Sequence, residues 1–434
     1  MSLANTLKTY AAKWLTSRTR VRLGRARAEL SRRLRRKPHT VYYFHRTDDP
    51  YCQLMVQVLP DIASRFAIEL KPLVVEKLPA NMYPDPVRYE AYSIIDASRL
   101  ARLYGLGFSL EATVPDRLAV GMANRYLASK QNDPEFFTLA ADIGAALWRK
   151  DLNAVRSICG LADVGEKDIE NNEKTLRELG HYASASLYYA GEFYVGIDRL
   201  DHLESRLNAL GLGDEQVDLE VHRHWRQELD ELERTIAGQT VDVFFSVRSP
   251  FSYVGVELIA ELARKTGVGI NLMPVLPMLM RGMKVPRAKG RYILADTARE
   301  AHIEGVAFGT ICDPLGTATW RAMSIGFALM DDEQSGGGEP GQALAFFRSF
   351  MRGVWSQGID GATDKGLAKI LKNAGLDESW IGKAISRENT EKRATDNREE
   401  MFRSGSWGVP TFRAGGETFW GQDRMWAIID ALKQ

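Results

Sequence analysis

Cysteine is scarce. The 434 residues hold three, Cys52, Cys159 and Cys312, and no two stand near one another. That excludes a disulfide scaffold and a cysteine zinc site, and it fits a reducing, cytoplasmic compartment. Long apolar runs are lacking too: nothing approaches the ~18–20 residues of a membrane span, and no secretory h-region is present. His222 and His224 stand at i and i+2, a spacing that sends them to different helix faces, so no metal is expected there. Acids are nearly missing from residues 1–40, where Glu29 faces twelve Lys and Arg. The segment is +11 against +1 for the whole chain, which leaves −10 for the rest.

What remains is ordinary globular material, 45% hydrophobic and 26% charged, and long enough for two domains. Val241, Val243, Phe245 and Val247 alternate as in a strand, and Ser249-Pro250 then supplies an N-cap and a first helical residue. Strand, turn and helix start form a place where unpaired N–H groups and the helix dipole favour an anion. The stretch occurs twice. Val41 to Cys52 has the same pattern, with Pro50 matching Pro250 at an offset of 200. The offset continues through Asp96, Arg99 and Gly105 against Asp296, Arg299 and Gly305. Near the end of each half, residues 180–199 align without gaps on residues 405–424, at an offset of 225. The chain is a tandem duplication.

Four segments follow: a basic arm over 1–40, a first repeat over 41–210, a linker over 211–239 and a second repeat over 240–434. In the arm, Leu3, Leu7, Tyr10, Trp14 and Leu15 are placed for one apolar stripe. A presequence, a surface-binding helix and a helix packed on the acidic body of the protein or a partner all fit this composition. In the first repeat a strand over 41–45, a helix from Pro50 to Phe66 and a strand over 68–74 precede a helical stretch over about 85–179. A hairpin turning at Ala190-Gly191 and a last helix after Asp198 complete it. The linker is expected to be a charged helix from Asp214 to Ile236. The glycine-rich segment from Ser335 to Gly341 is expected to be a surface loop.

Split β-α-β and β-β-α units around a helical insertion resemble the thioredoxin-like fold of the DsbA superfamily, here an α/β fold duplicated in tandem. The second repeat is similar to the kappa-class glutathione transferases and 2-hydroxychromene-2-carboxylate isomerases. The residues that carry this are Phe244 to Tyr253, Lys289 to Tyr292 with Asp296 and Arg299, Gly408 to Phe412, and Phe419 to Arg424. The first repeat matches the framework alone.

The resemblance implies glutathione as cofactor, held by Ser249, Pro250, Phe251, Val409, Pro410, Gln422 and Asp423. Ser249 would hydrogen-bond the glutathione sulfur and hold it as thiolate. Lowering a thiol pKa by two units takes about 2.7 kcal/mol. A helix N-terminus offers ~0.3–2 kcal/mol and a hydrogen bond to a charged group ~1.5–3. The plain alternative for Ser249 is an N-cap worth ~1 kcal/mol. The Val409–Pro410 bond is expected to be cis, and Ala185 takes its place in the first repeat. Asp423 is both a candidate for the γ-glutamyl end of glutathione and the expected N-cap of the last helix. Met283 and Gln422 depart from the family, which has asparagine and serine there. Of the cations Lys284, Arg287, Lys289 and Arg291, some could meet a carboxylate; the plain reading is a solvated face. Trp407, Phe419 and Trp420 are expected in the core or a pocket wall, and Cys312 on a loop.

Ser249 and Ser252 stand where redox relatives have Cys-x-x-Cys, and Asp49 and Cys52 stand there in the first repeat. Neither half is therefore expected to exchange disulfides, and Cys52 is expected to be a buried helix residue. Residues kept in both repeats, including Asp198 with Asp423 and Arg199 with Arg424, are the structural candidates. Ser249, Pro410 and Gln422 belong to the second repeat alone and are the candidates for chemistry.

The resemblance implies a glutathione-dependent isomerase of an aromatic 2-oxo acid. The alternatives are a kappa-type glutathione transferase and a non-catalytic adaptor docked through its basic arm. The expected partners are a small-molecule substrate, the other repeat of the same chain or a second copy, and a membrane or acidic surface at the arm. No specific nucleic acid is expected.

Overall fold

The first strand of each repeat shows why the chain folds as it does. Val41, Tyr43 and Phe44 are fully buried, as are Val243, Phe244 and Phe245. Such strands are apolar on both faces and belong at the middle of a covered sheet, where each large side chain withdrawn from water contributes ~1.5–3 kcal/mol. The computed structural model describes residues 3–109, 111–160, 165–213, 215–232 and 236–434; for residues 3–8, 230 and 231 it describes the backbone alone.

In the first repeat β1 (Thr40–His45) runs into α3 (Pro50–Arg65), which returns to β2 (Glu69–Val74). Five helices follow: α4 (Pro86–Tyr104), α5 (Arg117–Ser129), α6 (Phe136–Trp148), α7 (Leu152–Cys159) and α8 (Glu166–Glu178). The hairpin β3 (Ser186–Tyr189) and β4 (Glu192–Val195) and the helix α9 (Leu200–Asn208) close the unit. The hairpin turns at Ala190 and Gly191, both at positive φ, as a two-residue turn requires.

The second repeat has the same order. β5 (Thr240–Phe245), α11 (Pro250–Thr266) and β6 (Gly269–Pro274) precede α12 (Arg287–Ile303), α13 (Thr317–Ser335), α14 (Gln342–Ser356), α15 (Asp364–Asn373) and α16 (Arg387–Arg403). Then come β7 (Thr411–Ala414), β8 (Glu417–Trp420) and α17 (Met425–Leu432). The sheet orders are β2-β1-β3-β4 and β6-β5-β7-β8. In each, the first two strands are parallel and the last two join antiparallel. The two sequence offsets are the sheet registers. Tyr42 pairs with Lys71 and Asp242 with Asn271, both 200 apart. Tyr42 also pairs with Tyr188 and Asp242 with Arg413, and there the second partner has moved by 225. The difference is taken up by the helical insertions, which is where loop-connected helices tolerate added length.

By its contacts the chain forms two units, residues 22–224, and residues 225–434 together with residues 1–21. The basic arm is two helices, α1 (Leu3–Leu15) and α2 (Arg18–Leu34), the second of which passes from one unit into the other. Of the expected apolar stripe, Tyr10, Trp14 and Leu15 are exposed, while the side chains of Leu3 and Leu7 lie outside the described residues.

The linker is not one long helix. Val221–Glu228 is a 3-10 helix and α10 (Leu229–Leu232) a single turn; residues 214 and 233–235 lie outside the described residues. His222 and Trp225 are both buried. His222 bonds Tyr104 at 2.8 Å, while His224 is exposed.

Candidate functional site

Ser249 is the N-cap of α11. Its Oγ accepts from the Ser252 N–H at 3.1 Å, and Pro250 follows at the first helical position. The cap spends an acceptor lone pair of the hydroxyl, and its proton remains to be given to another group. Capping and anion binding are therefore compatible at this residue. Ser249 and Phe251 are half-buried and Pro250 is buried. Ser252 is fully buried and accepts from the Ser246 N–H at 3.3 Å, so its hydroxyl closes the loop from within.

The register of β5 and β7 brings the second half of the site to the same end of the sheet. Phe244 pairs with Thr411, so Pro410 and Val409 come just beyond the ladder, where β5 leaves for Ser249. The Val409–Pro410 peptide is cis, meeting the expectation. Pro410 packs on the second turn of α11, where a Cβ on Gly255 would stand 3.2 Å from the proline ring and 3.0 Å from Phe412. Glycine permits that approach. Ser406 and Thr411 hydroxyls meet at 2.6 Å, and the Thr411 hydroxyl donates to the Gly408 carbonyl at 2.6 Å, which braces the turn from Ser406 to Thr411.

Trp407 is buried in this turn with its ring 5.0 Å from that of Trp420. The ammonium of Lys289 lies 5.8 Å from the centre of the Trp407 ring. Burial pushes its pKa down to about 8. In the basic cluster, Lys284, Arg287 and Arg291 are exposed and Lys289 is half-buried. Met283 is half-buried after a 3-10 turn, and its N–H donates to the Met278 carbonyl at 3.1 Å.

Gln422 is buried and reaches Asp423 at 3.5 Å, a weak contact. Asp423 is not the N-cap of the last helix, contrary to expectation. Arg424 holds that position, and α17 begins at Met425. The Asp423 carboxylate accepts from Arg424 at 3.0 Å instead, and this charge-assisted contact draws it from the cap. The pairs shared by both repeats are held inside their own units. Arg299 pairs with Asp296, while Asp96 accepts from Tyr51 at 2.9 Å and Tyr92 at 3.4 Å.

Two supports escaped the sequence reading. The indole of Trp355, in α14, donates to the Val247 carbonyl at 3.0 Å. Arg248 forms two 2.8 Å bonds to the carboxylate of Asp313. Both partners come from the insertion, beyond any local spacing. Cys312 lies on the loop beside Asp313, buried, and burial with Asp360 and Asp313 pushes its thiol up to about 11.

The first repeat fills the equivalent place with a charge of its own. Asp49 caps α3, accepting from the Tyr51 N–H at 3.0 Å, and its second oxygen accepts from the Ser184 hydroxyl at 2.6 Å. Burial pushes this carboxyl up, against the pull of Arg46 and Ser184. Cys52 is buried in α3 and accepts from the N–H groups of Arg46 and Ala185, at 3.3 and 3.2 Å. Burial first, and then Asp49, raise its thiol well above the ordinary range. A carboxylate that only accepts hydrogen bonds leaves no donor for a thiolate.

The DsbA-like thioredoxin domain family matches residues 240–433. The 2-hydroxychromene-2-carboxylate isomerase of Pseudomonas putida is 26% identical over 203 residues, which cover 44% of this chain and 93% of the isomerase. That of Sphingobium xenophagum is 25% identical over 203 residues, covering 43% and 94%. The solved structure of SeMet 2-hydroxychromene-2-carboxylate isomerase is 25% identical, covers 45% of this chain and 94% of that one, and superposes with a TM-score of 0.37. With the sheet order, the register and the helix-capping serine described above, residues 240–433 are a DsbA-like thioredoxin domain homologous to 2-hydroxychromene-2-carboxylate isomerase, and the first half of the chain repeats its architecture.

Proposed function

We propose that the second repeat is a glutathione-dependent isomerase acting on an aromatic 2-oxo acid, with Ser249 as the residue that holds the thiolate. The observation that carries this reading is the state of Ser249, which caps α11 through an oxygen lone pair and keeps its proton to donate, at the positive end of a 17-residue helix. When bound, glutathione supplies a thiolate that adds reversibly to a conjugated double bond, so that the bond can turn before the thiol leaves.

The chain's own residues then divide the remaining work. The first N–H groups of α11 and the Ser249 hydroxyl stabilise negative charge at the sulfur position. The backbone of Val409 runs alongside a bound tripeptide, and Pro410 against Gly255 sets where that backbone lies. Lys289, over Trp407, meets a carboxylate of the substrate or of glutathione. Asp423, tied to Arg424, with buried Gln422, faces the γ-glutamyl end. Met283 offers no polar contact, so affinity rests on the sulfur end of the ligand. The homology to isomerases supports an enzyme; the choice of cofactor rests on Ser249 and Pro410.

Calorimetric titration of the full protein with glutathione tests the reading. Saturable binding that Ser249→Ala weakens about tenfold is expected, since a lost hydrogen bond to a charged group is worth ~1.5–3 kcal/mol. Equal affinity in wild type and variant, or no binding at millimolar glutathione, would remove it.

A further inference from the structure

Helix α2 carries RTRVRLGRARAELSRRL over residues 18–34. Leu23, Leu30 and Leu34 stand at i, i+7 and i+11, which places them on one stripe. On the opposite side, Arg25 grips Glu192 of β4 with two bonds of 2.7 and 2.8 Å, and Arg32 holds Glu29 at 2.8 and 2.9 Å. The Arg25 pair anchors the helix by its polar face, the Arg32 pair lies within the helix, and the leucines turn outward. They are 52%, 59% and 76% exposed, an arrangement that hydrophobicity alone opposes. Arg27 flanks the stripe on one side, and Arg22 and Arg33 flank it on the other; all three are exposed. Glu29, the only acid in the arm, lies inward and is spent on Arg32 and Arg33.

From this geometry we infer that α2 is a docking face for an anionic phospholipid bilayer, lying in the plane of the interface with its leucines in the acyl boundary and its arginines among the headgroups. The order of side chains decides the occupant. A nucleic acid would take the arginines and leave three leucines in water. A second copy of the helix would bring like charges against both flanks. An anionic lipid surface satisfies both sets together, apolar at the centre and negative at the rim. α1 exposes Tyr10 and Trp14, residue types that favour the interfacial layer. The arm's +11 against −10 elsewhere also means that this end of the chain is the one a negative surface attracts.

Flotation of the full-length protein with vesicles tests the inference, using phosphatidylcholine alone and phosphatidylcholine with roughly one-third phosphatidylserine. Wild type is expected to float with the anionic vesicles at least about tenfold more strongly than with neutral ones, and to be released as salt is raised. A Leu23→Ser, Leu30→Ser, Leu34→Ser variant is expected to lose about tenfold or more, and an Arg22→Gln, Arg27→Gln variant to lose binding and salt dependence together. All five side chains are surface groups, so unchanged circular dichroism and melting show that folding is intact. Failure of wild type to float at low salt would overturn the inference. So would anionic-vesicle binding that the leucine variant retains in full, or retention of duplex DNA that competes the vesicles away.

Discussion

The Trp355 indole donates to the Val247 carbonyl at 3.0 Å, and through that one bond helix α14 holds the turn that delivers Ser249. Trp355 is buried and its ring lies nearly parallel to that of Phe308, at 5.9 Å. Trp355→Phe keeps most of the packing and leaves the carbonyl without its donor. The expected loss is ~1–3 kcal/mol of stability, read by denaturant unfolding. Glutathione affinity should fall as well, because the Ser249 turn loosens. A stability loss with unchanged affinity would mean that other contacts, such as Arg248 with Asp313, hold the turn alone.

The two repeats supply the control for Ser249. Ser249→Ala loses the cap, about 1 kcal/mol, and the proposed thiolate donor together. Ser249→Asp introduces the residue that caps α3 and should keep the stability, while its carboxylate repels a thiolate. Glutathione binding is expected to weaken about tenfold in the alanine variant and further in the aspartate variant, and the melting temperature to fall in the alanine variant alone. Binding retained by Ser249→Asp would refute the thiolate role while leaving the cap intact.

Asp49 makes the first repeat sensitive to acid in a defined direction. Its carboxyl is pushed up by burial, so the folded chain holds this proton at pH values where the unfolded chain has released it. Stability contributed here is therefore full below the ordinary aspartate range and declines as pH rises toward the raised value. Asp49→Asn retains a capping oxygen and removes the charge. The variant is expected to gain stability at neutral pH relative to wild type and to lose the advantage below the carboxylate range. Urea titrations across pH check this; an equal difference at every pH would contradict it.

Lys289 titrates in reach of experiment. Burial lowers its pKa to about 8, so the unfolded chain binds more protons between that value and the ordinary lysine range. Folding stability contributed by this group therefore rises with pH through that window. Ligand binding runs the other way. A carboxylate held by the ammonium is expected to weaken as pH passes about 8. Lys289→Met should flatten that profile and lower affinity below it. An unchanged profile in the variant would place the carboxylate elsewhere.

Much of this protein was legible in one dimension. Duplication at offsets of 200 and 225 is a sequence property, and the sheets reproduce both numbers because a strand's partners are set by which side chains must be buried. Ser249-Pro250 and Asp49-Pro50 marked helix starts because capping needs a short polar side chain followed by a residue that lacks a backbone donor. Two local readings failed, one to a neighbouring side chain and one to the tighter winding of the linker. Asp423 left the cap for Arg424, and the linker tightened into a 3-10 turn in which His222 and Trp225 are buried.

Sequence alone determined two thioredoxin-like units, the helix starts at Asp49 and Ser249, and the half that has a hydroxyl donor there, since each follows from side-chain type and short spacing. Tertiary structure alone decided what braces that site. Trp355 is 108 positions from Val247 and Asp313 is 65 from Arg248, and no local pattern records which distant donor meets an orphaned carbonyl or guanidinium. It also decided which face of α2 is anchored. The arginines that grip the body and those that remain in water are the same residue type, and only the position of Glu192 on β4 tells them apart.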